Sequence, residues 1–299
     1  MLDDVKIVFP LEEPIEICRR NKVKPLQFNN IEFYPKYNTK TGYVKYYDTS
    51  LDNLWLKISE DKLTINNSWH KYSKGNNFTD YSITDIQETY SKLSNSLNID
   101  IINSEVKKIA YGCVINTPSE INYNNWKFYK TIEPSPMKKN SKKYGAKFDL
   151  TDYSIKGYDK SAEVWMHNKI KTEEELFRFE VEVKNMKYLK KRKHPINIHT
   201  VRDMLKYENL QLLMSDMLQK YNAIEKVPFC DFSGLTKEER SVFSMMQYSP
   251  LREYLRKKEN KTYKRYKSKL KTVERRSEMQ YHYNTRHLLT EKAIQLLNT

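Results

Sequence analysis

Two short stretches with a period of two constrain this chain more than any other feature. Residues Asp152–Lys160 (DYSIKGYDK) and Phe177–Lys184 (FRFEVEVK) mix β-branched and aromatic residues with alternating charges, and so read as neighbouring strands. The alternation sends Lys156, Tyr158 and Lys160 to one face of the first, and Arg178, Glu180 and Glu182 to one face of the second. Acids on alternate residues repel unless cations answer them. The ordinary answer is a ladder in which Lys156 or Lys160 pairs with Glu180 across the strands. The sharper answer is a hard divalent cation, Mg2+ or Mn2+, held by carboxylates beside a tyrosine that acts as nucleophile.

Around this pair the pattern predicts an α+β fold with a largely antiparallel sheet. Residues 3–9 and 31–35 read as strands, and Tyr43–Ile65 as two or three more, with a hairpin turn at Glu60 and Asp61. The stretch NSWHKYSKGNNFTDYS, rich in Asn, Ser and Gly, reads as a loop, a plain turn cluster sooner than one that cradles a phosphate, and its His70 as an ordinary loop histidine. A helix follows from Ser82, capped by Ser82 or Thr84, with Ile86, Tyr90, Leu93 and Leu97 on one stripe. Residues 106–116 (VKKIAYGCVIN) alternate as a strand, with Ile109, Tyr111, Cys113 and Ile115 on one face and small residues such as Ala110 and Gly112 on the other. Those small residues admit either a ligand backbone or tight packing.

Further on, YNNWKFYKTI and the run MKKNSKKYG place aromatics among lysines in what reads as a basic loop, suited to stacking bases and neutralising phosphates or simply solvated. A long helix is expected from about Thr200, with an apolar stripe through Val201, Met204, Leu205, Leu212, Leu213, Met217 and Leu218. PFCDFSG (228–234) interrupts the pattern and divides the chain into an α+β domain, 1–228, and a basic helical region, 229–299. Between Leu251 and His287 there are 13 Lys or Arg against four acids, a face able to track phosphates.

The formal net charge of +15 on 299 residues points to a polyanion, and 23 Tyr with 11 Phe and 4 Trp favour nucleic acid over a membrane surface. No apolar run is long enough to span a bilayer, and acids stand in the first residues where a secretory signal has basic ones. The expectation is a soluble protein of the cytoplasm. Cys18, Cys113 and Cys230 are too scattered for a disulfide framework or a structural zinc.

Three ordered segments, SWHKYSKGNNF, YSIKGYDKSAE and RFEVEVK, resemble segments of the rolling-circle replication initiation proteins of small plasmids and phages, the phage-type and transfer-type initiators. They span roughly residues 55–190, about half the chain. The resemblance implies a DNA nicking-joining endonuclease in a bacterial host cell. A tyrosine attacks a phosphodiester, forms a 5′-phosphotyrosine and frees a 3′-hydroxyl that primes synthesis, with a divalent metal polarising the phosphoryl group.

Carried over by motif, Glu180 is the metal ligand, with Glu182 and Glu163 as the acids able to complete the set. Lys156 and Lys160 contact phosphate or the leaving oxygen. Tyr144, before Gly145, is the first candidate nucleophile and Tyr153 the second. Arg178, His70, Lys71, Lys191, Arg192, Arg256, Lys264 and Arg265 are candidate nucleic-acid contacts. The implied partners are single-stranded or cruciform origin DNA and host replication proteins, with a homodimer as an option. His194 and His199 straddle a proline and do not form the His-hydrophobic-His pair of many such enzymes, and Ala110 stands where the family strand usually carries an acid. The resemblance therefore leaves two readings: a carboxylate-using nickase, or an origin DNA- or RNA-binding protein of the same fold without chemistry.

Overall fold

A computed structural model describes residues 1–12, 24–117, 119–191, 195–226, 235–276 and 280–299. The chain opens with β1 (Leu2–Pro10), β2 (Leu26–Phe28), β3 (Ile31–Tyr37), β4 (Val44–Leu51), β5 (Leu54–Ser59) and β6 (Lys62–Ser68). Helices α1 (Trp69–Lys74) and α2 (Ile83–Leu97) follow, then β7 (Glu105–Asn116), α3 (Ser119–Asn124), β8 (Trp126–Tyr129), β9 (Ser135–Lys139), β10 (Lys142–Asp149) and β11 (Tyr153–Asp159). Next come α4 (Lys160–Asn168), β12 (Leu176–Val183), α5 (Lys187–Lys190), α6 (Val201–Met204), α7 (Tyr207–Ala223) and β13 (Ile224–Lys226). Four helices close the chain: α8 (Lys237–Gln247), α9 (Ser249–Lys258), α10 (Asn260–Arg276) and α11 (Gln280–Asn298).

The architecture is α+β around one antiparallel sheet of 11 strands, in the order β2-β3-β4-β5-β6-β1-β7-β12-β11-β10-β9. Strands β11 and β12 are neighbours, in the register Lys156↔Glu180 and Ser154↔Glu182, and β12 pairs in turn with β7. One face is apolar: Ile109, Tyr111, Cys113, Ile155, Phe177, Phe179, Val181 and Val183 are all buried, and α3, α7 and α11 pack on strands β7, β10, β11 and β12. Trp126 stacks on Phe148 at 5.5 Å in this layer and meets the edge of Phe179 at 5.8 Å. Gly157 makes that packing fit, because a Cβ there would lie 2.2 Å from the Trp126 ring. The small Gly112 serves the same purpose between strands, since a Cβ would lie 2.1 Å from the Phe179 carbonyl oxygen. Its smallness is taken up by the neighbouring strand.

Several local expectations are corrected. The stretch after Ser68 is not all loop: Ser68 caps α1 by accepting from the Lys71 N–H, Gly75 ends it at φ +72°, and Trp69, His70 and Tyr72 are buried. The helix from Thr200 is broken; α6 ends at Leu205, and α7 starts afresh after Lys206 in extended conformation. Tyr123, Trp126 and Tyr129 are core residues and not stacking platforms. The basic run after Pro136 is a hairpin, turning through Asn140 and Ser141 at φ +49° and +64°, the geometry of a tight two-residue turn. Helix α2 begins as expected, with a reciprocal capping box between Ser82 and Asp85.

The segment 228–234 lies outside the described residues, apart from which α8, α9 and α10 pack on one another around Leu235, Phe243 and Val273. Helix α11 returns to β7, α7 and α2, burying Leu289, Ala293 and Leu296. Among the described residues, no helix is long and apolar enough to cross a membrane.

Candidate nucleic-acid cleft

The face of the sheet opposite the apolar layer carries an alternating run of charges across β1, β7, β12 and β11. Asp4 lies 2.6 Å from Lys108, which lies 2.7 Å from Glu182. Lys156 then sits between two carboxylates, 2.6 Å from Glu182 and 3.2 Å from Glu180. Arg178 closes the run, its Nε 2.9 Å from Glu180 and a terminal nitrogen 2.7 Å from Asp3. That Nε–H is not aimed at the Glu180 oxygen, so the contact is one of charge and not an aligned hydrogen bond. A bulge in β1 between Leu2 and Val5 lets consecutive aspartates, Asp3 and Asp4, both reach cations of this face.

Three members of this run are held in their charged forms by their partners. Burial alone would raise the Glu182 pKa, but Lys156 and Lys108 bring it down to about 2. Burial likewise works against charged Lys156, and the charges of Glu180 and Glu182 outweigh it and raise its pKa. Asp3 is buried too, yet Arg178 and a hydrogen bond from Ser68 hold its carboxyl well below the usual carboxylate range.

Beyond Arg178 the network runs inward. Asn77 donates to Asp3 at 3.1 Å and accepts from Lys160 at 2.8 Å, while its backbone carbonyl accepts from Arg178 at 2.9 Å. Lys160 is fully buried at the start of α4 and also donates to Glu163 at 2.6 Å. Burial and the Arg178 charge lower its pKa to about 8. His70 is interior as well, stacked on Tyr81 at 4.6 Å, and burial followed by the N-terminal amine pushes its pKa down to about 3.

Tyr144 comes to the same side of the sheet by an irregularity. The β9–β10 register breaks between Lys143 and Gly145, and the Tyr144 ring meets the Tyr158 ring edge-on at 6.2 Å. Burial and the Glu163 charge raise its pKa, and Lys156 opposes them. Tyr144 also lines an open cleft of about 360 Å³ between the β9–β10 turn and α4, together with Lys139, Lys142, Trp165, Met166 and Lys169.

The other sequence-derived candidates are dispersed. Tyr153 belongs to the apolar layer, where its hydroxyl lies 3.1 Å from that of Tyr129 and its ring packs on Tyr188 at 4.3 Å. It is thus on the opposite side of the sheet from Glu180. Lys160, Arg178 and His70 are too deeply buried to meet a phosphate directly. Lys71 is half-buried on α1 and Lys191 exposed after α5, while Arg192 and His194 lie outside the described residues. Arg256, Lys264 and Arg265 are exposed on α9 and α10. Ala110 lies opposite Glu182 in the β7–β12 register, buried.

The donor chemistry does not fit a resident divalent metal. Each oxygen of Glu180 faces a cation, Lys156 on one and Arg178 on the other, and each oxygen of Glu182 faces a lysine. Glu163 is held by Lys160. An ion between Glu180 and Glu182 would have to displace Lys156. Among the described residues no three His, Cys, Asp or Glu side chains are grouped to hold a metal.

Sequence reasoning missed Asp3, Asp4, Asn77 and Lys108, because the pairing of β1 with β7 and the return of residues 75–82 are long-range facts. It also missed Trp165, whose signal was a tryptophan in a short segment rich in charge and flanked by Lys160 and Lys169.

No family model matches the chain, and no curated protein matches it. Among solved structures, the rolling circle replication initiator protein from Geobacillus stearothermophilus is similar at 11% identity, with 80% of this chain and 89% of that chain covered and a TM-score of 0.38. A likeness that loose carries no argument about the chemistry of this chain.

Proposed function

We propose that this chain is a replication initiator that cuts and rejoins single-stranded origin DNA through Tyr144, in the cytoplasm of a bacterial host, with residues 229–299 as a basic DNA-binding region. The observation that carries this reading is the break in the β9–β10 register that accompanies Tyr144 in a lysine-lined cleft, within the fields of Glu163 and Lys156. In the reaction the Tyr144 oxygen bonds to phosphorus and the bond from phosphorus to the 3′ oxygen breaks. Glu163, whose charge acts on Tyr144, takes the phenolic proton, and the departing 3′ oxygen takes a proton from water to become a free hydroxyl. Attack by a 3′-hydroxyl reverses the step and rejoins the strand. Lys139 and Lys142 supply positive charge to the phosphoryl oxygens.

A second reading is a DNA- or RNA-binding protein of the same fold without chemistry. The saturated carboxylates of Glu180 and Glu182, and a Tyr144 pKa raised above the ordinary value, favour it.

The test incubates the protein with labelled single-stranded DNA, with Mg2+, with Mn2+ and with a chelator, and resolves the products on a denaturing gel. A covalent adduct mapped to Tyr144 and absent in Tyr144→Phe supports the initiator. Tight binding with no adduct under any of these conditions selects the binder.

A further inference from the structure

The β9–β10 hairpin is built against its own electrostatics. Lys139 is directly opposite Lys142 in the register, and Lys138 is opposite Lys143. Like charges facing one another across a ladder are destabilising, and none of these four lysines has a carboxylate within ion-pair distance among the described residues. Lys139 donates instead to the Met166 carbonyl at 3.2 Å, and Lys143 to Asn124 at 2.7 Å. A fifth lysine, Lys169, lines the same cleft from α4, where it ends the helix at φ +60°, a left-handed conformation that favours glycine.

Three of these cations, Lys139, Lys142 and Lys169, share a cleft with an aromatic surface. Trp165 is 52% exposed on α4, and Lys169 lies over its ring at 5.7 Å. The other described tryptophans serve the fold: Trp69 and Trp126 are buried, and Trp55 donates to Asp48. A half-exposed indole ringed by uncompensated lysines is matched by a ligand with a flat π-face between two negative charges. A nucleotide within a single strand has that form, whereas a duplex keeps its bases stacked inside.

We propose that the cleft between the β9–β10 turn and α4 seats one unpaired base of a DNA strand on Trp165, with Lys139, Lys142 and Lys169 on the flanking phosphates. This deepens the single-stranded DNA reading above and rests on it. Because Tyr144 lines the same cleft, the seated base fixes which phosphodiester meets the tyrosine hydroxyl. Base–aromatic stacking is tolerant of sequence, so this site selects strandedness and register.

The test measures binding of a fluorescently labelled oligothymidylate by anisotropy at several salt concentrations, on the full chain and on variants shown by thermal melting to be folded. Trp165→Ala is expected to weaken binding by about 5- to 100-fold, with Trp165→Phe recovering most of it. The double variant Lys139→Ala/Lys142→Ala is expected to lower the log–log salt slope by about 1.4, since each phosphate contact on a single strand contributes about 0.7. Duplex competitor at equal nucleotide concentration is expected to compete poorly. Wild-type binding that Trp165→Ala leaves unchanged overturns the base seat and leaves the DNA reading standing. Failure of the wild-type protein to bind the strand at all overturns both.

Discussion

Lys156 reaches Glu182 on the neighbouring strand at 2.6 Å, in a part of the sheet where each side chain is about one-fifth exposed. The pair joins the Asp4–Lys108 contact to the Glu180–Arg178 contact, so one residue's charge state is felt across four strands. Charge pairs of this kind stabilise little when exposed and are costly to break when enclosed.

Glu182→Gln leaves Lys108 and Lys156 each short of a partner, and is expected to cost about 1–3 kcal/mol at neutral pH. Its folded pKa of about 2 lies below the ordinary carboxylate value, so the unfolded chain binds the proton more readily. Stability from Glu182 is therefore fully present above about pH 4.5 and is lost as pH falls towards 2. Urea titrations of wild type and variant at pH 7, 4 and 3 check this. The gap between the two should narrow with acid, and a gap independent of pH would count against the pairing.

Gly157→Ala tests the apolar side of the same strand. The added methyl meets the Trp126 ring at 2.2 Å, and Trp126 is wedged between Phe148 and Phe179. Overpacking of this kind typically costs about 1–3 kcal/mol. A lowered urea midpoint with an altered near-ultraviolet circular dichroism band is the expected result, and an unchanged midpoint would mean the ring has room to move.

How far this arrangement could be read in advance depended on range. The alternation in FRFEVEVK and DYSIKGYDK fixes which residues share a face, and the Lys156–Glu180 pairing follows once the two strands are neighbours. Arg178 was legible as a face residue, but its burial was not, because Asp3 and Asn77 come from segments more than 100 residues away. His70 and Lys160 looked like surface contacts because polarity was all the local sequence displayed. Tyr153 was misplaced for a different reason. It alternates out of phase with Lys156, so period two itself assigns it to the opposite face, and the motif resemblance had overridden that phase.

His70 makes the distinction measurable. Its imidazole is buried against Tyr81 with Nε2 unpartnered, and its pKa is lowered to about 3. The unfolded chain then binds a proton that the folded chain refuses between about pH 6.5 and 3, so stability rises with pH across that window, by at most about 1.4 kcal/mol per pH unit. His70→Phe keeps the stacked ring and removes the titration. The variant should show a flatter acid limb in thermal melts while binding single-stranded DNA as wild type does. Loss of DNA affinity without a change in the acid limb would restore His70 to the surface role its sequence suggested.

The helical region offers a test of charge without shape. Arg256, Lys264 and Arg265 are exposed on α9 and α10, and Arg265 lies over the ring of Tyr266 at 5.2 Å. Exposed basic side chains that meet phosphates carry no sequence information. The triple alanine variant should therefore weaken binding to all DNAs by a similar factor, with the salt slope falling by about 2 to 3 if all three contact phosphate. The thermal midpoint should scarcely move, because no buried group is touched. Anisotropy titrations on two unrelated strands at several salt concentrations distinguish this from specific recognition. A loss confined to one sequence would place base readout on these helices, whereas an unchanged salt slope would remove them from the DNA-binding surface.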